Sequence, residues 1–223
     1  MMEAVQAAGY QYKNGAAFCR GDRYGAFDFS QKSTPGRNST FQVQRAAFDK
    51  LLADEAERQG VEIRYRQEIV AADFTARPRV TVRDAQGESR EVEGDFVLDA
   101  SGFGRTLPRL LSLETPSAFP VRNAVFTHVA DGIPAGGFDR NKILVTIHPQ
   151  HKDVWYWLIP FAGGRSSLGV VARQEFFAGY PADSTARLRA IVAEDAGLAN
   201  LLGAATWDTP ARELGGYAAN VTT

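Results

Sequence analysis

A chain of 223 residues can bury a full core, and 44% hydrophobic with 23% charged residues is the composition of an ordinary globular protein. A formal net charge of -1 gives no electrostatic reason to bind nucleic acid or an anionic membrane, and no run approaches the roughly 18 apolar residues of a membrane span. The single Cys19 excludes an internal disulfide and fits a reducing cytoplasm, and with three scattered histidines no metal site is expected.

The chain opens on a short helical run that ends at Gly9. Residues 10–30 alternate loosely between Gly15, Gly21 and Gly25, which predicts a hairpin. Lys13 stands at its entry, in Tyr12-Lys13-Asn14-Gly15-Ala16-Ala17-Phe18; taken alone it reads as a solvated lysine before a turn. Residues 31–40 form a loop around Pro35-Gly36. Phe41-Gln42-Val43 leads into an amphipathic helix predicted over 45–59, with Phe48, Leu51, Leu52 and Ala56 at helical spacing and Gly60 ending it.

Strands are predicted at 61–65, 69–74, 80–83 and 91–98, with a turn-rich link at 84–87. The last of these runs into Asp99-Ala100-Ser101-Gly102-Phe103-Gly104-Arg105 and a helix near 107–113. A strand, a small-residue turn and a helix start suit a diphosphate or ribityl chain, because glycines admit close backbone approach. The turn lacks the third glycine of the dinucleotide fingerprint, where Leu107 stands, and Ser101 has no glycine two residues before it, so it is not a nucleophile elbow.

The second half predicts four strands, 121–130, 142–148, 154–161 and 166–173, joined by short glycine- or proline-rich links and hence antiparallel neighbours. His148 and His151, flanking Pro149, read as surface residues. The third strand is Val154-Trp155-Tyr156-Trp157-Leu158-Ile159-Pro160, with Trp155, Trp157 and Ile159 on one face and Pro160 as its stop. Gly169 on the next strand leaves room for an indole across the ladder. Helices follow at 183–194 and 197–203, Asp183 or Ser184 capping the first, and Trp207 falls in a loop. The chain closes on Tyr217-Ala218-Ala219-Asn220-Val221-Thr222-Thr223 without a stop signal of its own.

Trp155-x-Trp157-x-Ile159-Pro160 resembles the motif that marks flavin-dependent halogenases at every fixed position. Lys13-x-Gly15-Ala16-x-Phe18 is similar to the segment that holds the catalytic lysine in phenol- and pyrrole-type members. Val43-Gln44-Arg45-Ala46-Ala47-Phe48-Asp49 resembles the Val-Asp-Arg-x-x-Phe-Asp signature of halogenases and related flavoprotein monooxygenases, with Gln44 where aspartate is usual. Asp99-Ala100-Ser101-Gly102 looks like the Asp-Ala-Ser/Thr-Gly motif of the glutathione-reductase-type FAD fold.

The resemblance implies an α/β (α+β) protein: an incomplete glutathione-reductase-type FAD-binding fold with an antiparallel-sheet substrate domain. It implies a partial substrate-side segment at 1–40, a partial FAD-binding domain at 41–115 and the substrate domain at 116–223. It implies FAD-dependent halogenation of an electron-rich aromatic, phenol or pyrrole type, through a flavin hydroperoxide and hypohalous acid. The substrate would be free or tethered to a carrier protein, a halide ion would be consumed, and a separate flavin reductase would supply reduced FAD in the cytoplasm. Lys13 would be the catalytic residue, Trp155 and Trp157 the barrier between flavin and substrate, and Arg45, Ile69, Asp99 and Gly102 the FAD contacts. No Gly-x-Gly-x-x-Gly lies anywhere in the chain, so an internal fragment that binds FAD weakly by itself is expected. Two other readings stand beside this one: an FAD-dependent aromatic hydroxylase or prenyl-chain reductase of the same superfamily, and an inactive truncated copy.

Overall fold

A computed structural model describes residues 1–216 and 218–222; Tyr217 and Thr223, in the closing segment, lie outside the described residues. Residues 1–59 and 121–216 form one compact unit, and residues 60–120 with 218–222 form another.

The chain begins with α1 (Met2–Ala7), β1 (Gln11–Lys13), β2 (Gly15–Arg20), β3 (Arg23–Asp28), β4 (Thr40–Gln42) and α2 (Arg45–Arg58). The expected hairpin is β2 and β3, turning at Gly21 in the left-handed region, φ +59°. Gly15 allows the two strands to approach, since a Cβ there would stand 2.2 Å from the Phe27 carbonyl oxygen. An additional two-stranded ribbon pairs β1 with β4, Lys13 opposite Thr40 and Gln11 opposite Gln42. Three residues each are too short to show a period, so this pairing was not visible in the sequence.

In the second unit β5 (Glu68–Asp73), β6 (Arg79–Arg83) and β7 (Ser89–Glu93) make an antiparallel meander, with a register shift between Ile69 and Ala71. α3 (Thr106–Leu110) and β8 (Glu114–Thr115) follow. Two expected strands are corrected here. Residues 61–65 carry no strand, and the fourth strand ends at Glu93 rather than continuing to Leu98. Neither stretch has a ladder partner among the described residues, and Val61, Tyr65, Phe96 and Leu98 are exposed.

Beyond Val121 the first unit resumes with β9 (Asn123–Ala130), β10 (Lys142–Ile147), β11 (Trp155–Pro160), β12 (Arg165–Ala172), α4 (Gln174–Phe177), α5 (Ser184–Ala193), α6 (Ala196–Leu201) and β13 (Arg212–Gly215). The chain then adds β14 (Asn220–Val221), which pairs with β8. Among the described residues a seven-stranded sheet runs β13-β9-β12-β11-β10-β2-β3, antiparallel except where β10 lies parallel to β2. β9 therefore neighbours β12 and β13, not β10 as consecutive links predict. The 131–141 link is long enough to cross the sheet. By contrast β11 and β12 form a tight hairpin through Gly163 and Gly164, both at positive φ.

One face of this sheet is the core. Ala17, Leu144, Tyr156, Leu158, Leu168 and Val170 point to it and are covered by Phe177, Leu188, Ile191 and Leu198 of α4 to α6. Tyr156 is fully buried, and its hydroxyl donates to the Ile191 carbonyl at 3.0 Å, so no polar group is left unpaired there. Asp183 caps α5 through the Ala186 amide at 2.7 Å, as expected, and Asp195 caps α6 through Leu198 at 2.8 Å.

Candidate active site

The alternation that buries Tyr156 and Leu158 turns Trp155 and Trp157 to the opposite, open face of β11, with their ring centroids 6.1 Å apart. The strand is interior and ends at Pro160, as the sequence predicts. Three contacts fix Trp157. Its Nε1 donates to Ser167 Oγ at 3.0 Å, its ring lies 6.0 Å from that of Phe126, and it packs over Gly169 on β12. Gly169 is required there, because a Cβ would meet the indole at 2.3 Å.

Lys13, on the β1–β4 ribbon, is linked to this face through a run of ring contacts. The register of β11, β10 and β2 aligns Trp157 with Val145 and Val145 with Phe18. Phe18 stacks with Phe27 at 6.0 Å, Phe27 meets Phe29 at 5.7 Å, and the Lys13 ammonium lies 5.8 Å from the Phe29 ring. The apolar surface thus runs from the indoles to the lysine. Lys13 has no ion pair or hydrogen-bond partner among the described residues, and burial pushes its ammonium below the ordinary lysine range. It is not the solvated lysine that its local sequence suggests.

On the other flank of the indoles stand Phe126, His128 and Arg212, around a cavity of about 190 Å³. Burial, then the charges of Arg165 and Arg212, lower the His128 pKa. The sequence reading missed His128 and Phe126; their alternation along β9 on the face of Trp157 was the available signal.

The remaining candidates fall in separate places. Arg45 opens α2 and pairs with Asp49 at 2.9 Å on an exposed surface; that hydrogen bond and charge raise its pKa further. In the second unit, Ile69, Val80, Leu98, Asp99 and Leu107 line a cavity of about 260 Å³. Asp99 spends both carboxylate oxygens on its own loop, accepting from the Ser101 amide at 2.8 Å and the Leu107 amide at 2.9 Å. The Ser101 hydroxyl and amide, then Leu107, hold its carboxyl below the usual range. Ser101 Oγ accepts from the Thr106 amide at 2.9 Å. These bonds use the amides at the start of α3, so the helix end is not the anion site that the strand-turn-helix pattern suggests. Gly102, at φ +56° with nothing within 4 Å of its Cβ position, is the part of the turn open to close approach. Apolar walls beside an open glycine turn fit the edge of a flavin nucleotide.

His148 is a correction. It is fully buried, not at the surface, with Nε2 3.0 Å from Glu194 Oε2, while Nδ1 accepts from the Gln150 and His151 amides at 3.2 Å each. Among the described residues no group of three or more His, Cys, Asp or Glu is placed to hold a metal ion, and no helix is long and apolar enough to cross a membrane.

The fold agrees with solved flavoproteins. Over its full length the chain matches a flavoprotein/dehydrogenase from Cytophaga hutchinsonii at 38% identity and a TM-score of 0.91, covering 54% of that chain. It matches CmlS, a flavin-dependent halogenase, at 27% identity and a TM-score of 0.84, over 99% of this chain and 40% of that one. The fold places the chain among proteins of flavoprotein fold. Within that class the chain belongs to the tryptophan halogenase family, whose profile matches residues 26–198. Among curated relatives it is 25% identical over 185 residues to a Tryptophan 2-halogenase from Chondromyces crocatus, covering 78% of this chain and 33% of that protein. It is 27% identical over 205 residues to the 1H-pyrrole-2-carbonyl-(peptidyl-carrier protein) chlorinase of Pseudomonas fluorescens, covering 78% and 44%. The chain therefore spans less than half the length of these two relatives.

Proposed function

We propose that this chain supplies the substrate side of an FAD-dependent halogenase that acts on an electron-rich aromatic of the phenol or pyrrole type. The observation that carries the reading is the run of aromatic contacts that leads from the face of Trp155 and Trp157 to Lys13. On this reading the seven-stranded sheet serves the substrate, and the unit of residues 60–120 serves the nucleotide. Ile69 and Gly102 contact FAD there, and Asp99 holds the turn in shape.

When bound, reduced FAD supplies the oxidising chemistry that turns dioxygen and halide into hypohalous acid. The chain's own residues then separate making from using. Trp155 and Trp157 bar the aromatic from direct contact with the flavin, which a hydroxylase needs, and the apolar face receives the aromatic ring. Lys13, which has no counter-ion among the described residues, donates a hydrogen bond to the oxygen of the hypohalous acid. The ring carbon takes the halogen, that oxygen leaves as water, and the ring gives up a proton. A carrier-tethered acceptor of the kind named for the Pseudomonas relative, a partner flavin reductase and a cytoplasmic setting complete the proposal.

The test offers the intact protein FAD, a reductase, dioxygen, chloride or bromide, and phenols or pyrroles, free and carrier-bound. Halogen in the product by mass supports the reading; oxygen incorporation alone transfers the protein to the hydroxylases.

A further inference from the structure

Gln42 is 4% exposed and lies at the end of the tryptophan strand. Its Nε2 donates to the carbonyls of Pro160 at 2.6 Å and Arg140 at 3.0 Å. Two carbonyl acceptors fix the amide's orientation, since the opposite placement would set oxygen against oxygen. The other end of the amide, Oε1, is buried and meets no donor among the described residues. A buried acceptor without a donor calls for a physical account.

Lys13 presents the complementary case: three N–H donors, no acceptor for them among the described residues, and partial burial. The β1–β4 ribbon sets the two side by side. Lys13 pairs with Thr40, and Gln11 pairs with Gln42. Lys13 and Gln42 are thus diagonal neighbours on one face, at a spacing of roughly 7–8 Å that a lysine arm spans. Gln11 on the same face donates to Asn141 Oδ1 at 3.1 Å, so its amide nitrogen is already engaged.

We infer that Gln42 is a positioning residue for Lys13: its amide oxygen accepts a hydrogen bond from the lysine ammonium, drawing the arm from the Phe29 ring to the end of the tryptophan strand. Lys13 then has two stations, the ring face and the amide. Nε2 anchors the second station to Pro160, so the lysine is referenced to the wall itself. The inference rests on the reading of Lys13 as the reactive lysine.

The test uses the intact protein labelled with ¹³Cε-lysine, with Lys13→Met assigning the resonance. Gln42→Leu removes the acceptor and is expected to lower the Lys13 pKa further; Gln42→Glu puts a carboxylate there and is expected to raise it. Gln42→Leu is also expected to reduce kcat by about tenfold or more, with the aromatic's KM within about twofold, and to add nothing in a Lys13→Met background. Should Gln42→Leu not fold, the Gln42→Glu titration decides alone. A Lys13 titration that neither variant moves would overturn the inference and leave Gln42 a purely structural tie. Undiminished halogenation by Lys13→Met would instead sink the reading of the lysine, while the titration would still report whether the two side chains meet.

Discussion

Trp157 and Gly169 face each other across the β11–β12 ladder, and the indole occupies the space that any side chain at 169 would need. Gly169→Ala should therefore displace the ring and stretch its hydrogen bond to Ser167, lowering stability by about 1–3 kcal/mol. In a Trp157→Phe background, where the clashing ring atoms are gone, the same substitution should be close to neutral. Thermal unfolding of the four proteins of this cycle measures it. Equal losses in both backgrounds would show that the indole is not what the glycine accommodates.

The motif strand was legible because one observation, alternation, assigned both its faces: Tyr156 and Leu158 to the core, the two indoles to the open side. The position of β9 was not legible, since nothing in 131–141 announces a crossing. Nor was the place of Lys13, which depends on a three-residue ribbon and on a hairpin that carries Phe27 and Phe29 round to it. The failures at 61–65 and 94–98 have one cause. A strand pattern states a willingness to pair, and neither stretch finds a ladder strand among the described residues.

His148 was misread because proximity to Pro149 suggested a loop, whereas its imidazole closes that loop from inside. Nδ1 accepts two amide protons, so the ring proton sits on Nε2 and is donated to Glu194, which also accepts from Tyr180 at 2.6 Å. His148→Leu should leave the part-buried amides of Gln150 and His151 without their acceptor and cost about 1 kcal/mol in chemical denaturation. Glu194→Gln, which still accepts a hydrogen bond, should cost less. A neutral His148→Leu would mean that water replaces the imidazole freely.

Arg165 grips Asp208 with two nitrogens, at 2.7 and 2.8 Å, and this pairing holds the Asp208 carboxyl at about 2. A depressed carboxylate stabilises the fold above its unfolded pKa of about 3.9, and that contribution fades as pH falls from there through about 2. Carboxyl NMR titration should place Asp208 near about 2, and Arg165→Met should return it towards the ordinary aspartate value. Because the pair is exposed, high salt should weaken the shift. An Asp208 pKa indifferent to Arg165→Met would remove this bridge from the account of how the 206–210 segment is held.

The claim on which the functional reading rests is that the electrophile is made in one place and used in another, at Lys13 beyond the indoles. The most direct measurement gives the intact Lys13→Met protein reduced FAD, dioxygen and halide, together with a small diffusible scavenger of hypohalous acid or the aromatic acceptor. The account predicts that scavenger halogenation continues near the rate of the unsubstituted protein, while halogenation of the acceptor falls by about 100-fold or more. Loss of both together, or of neither, would contradict it.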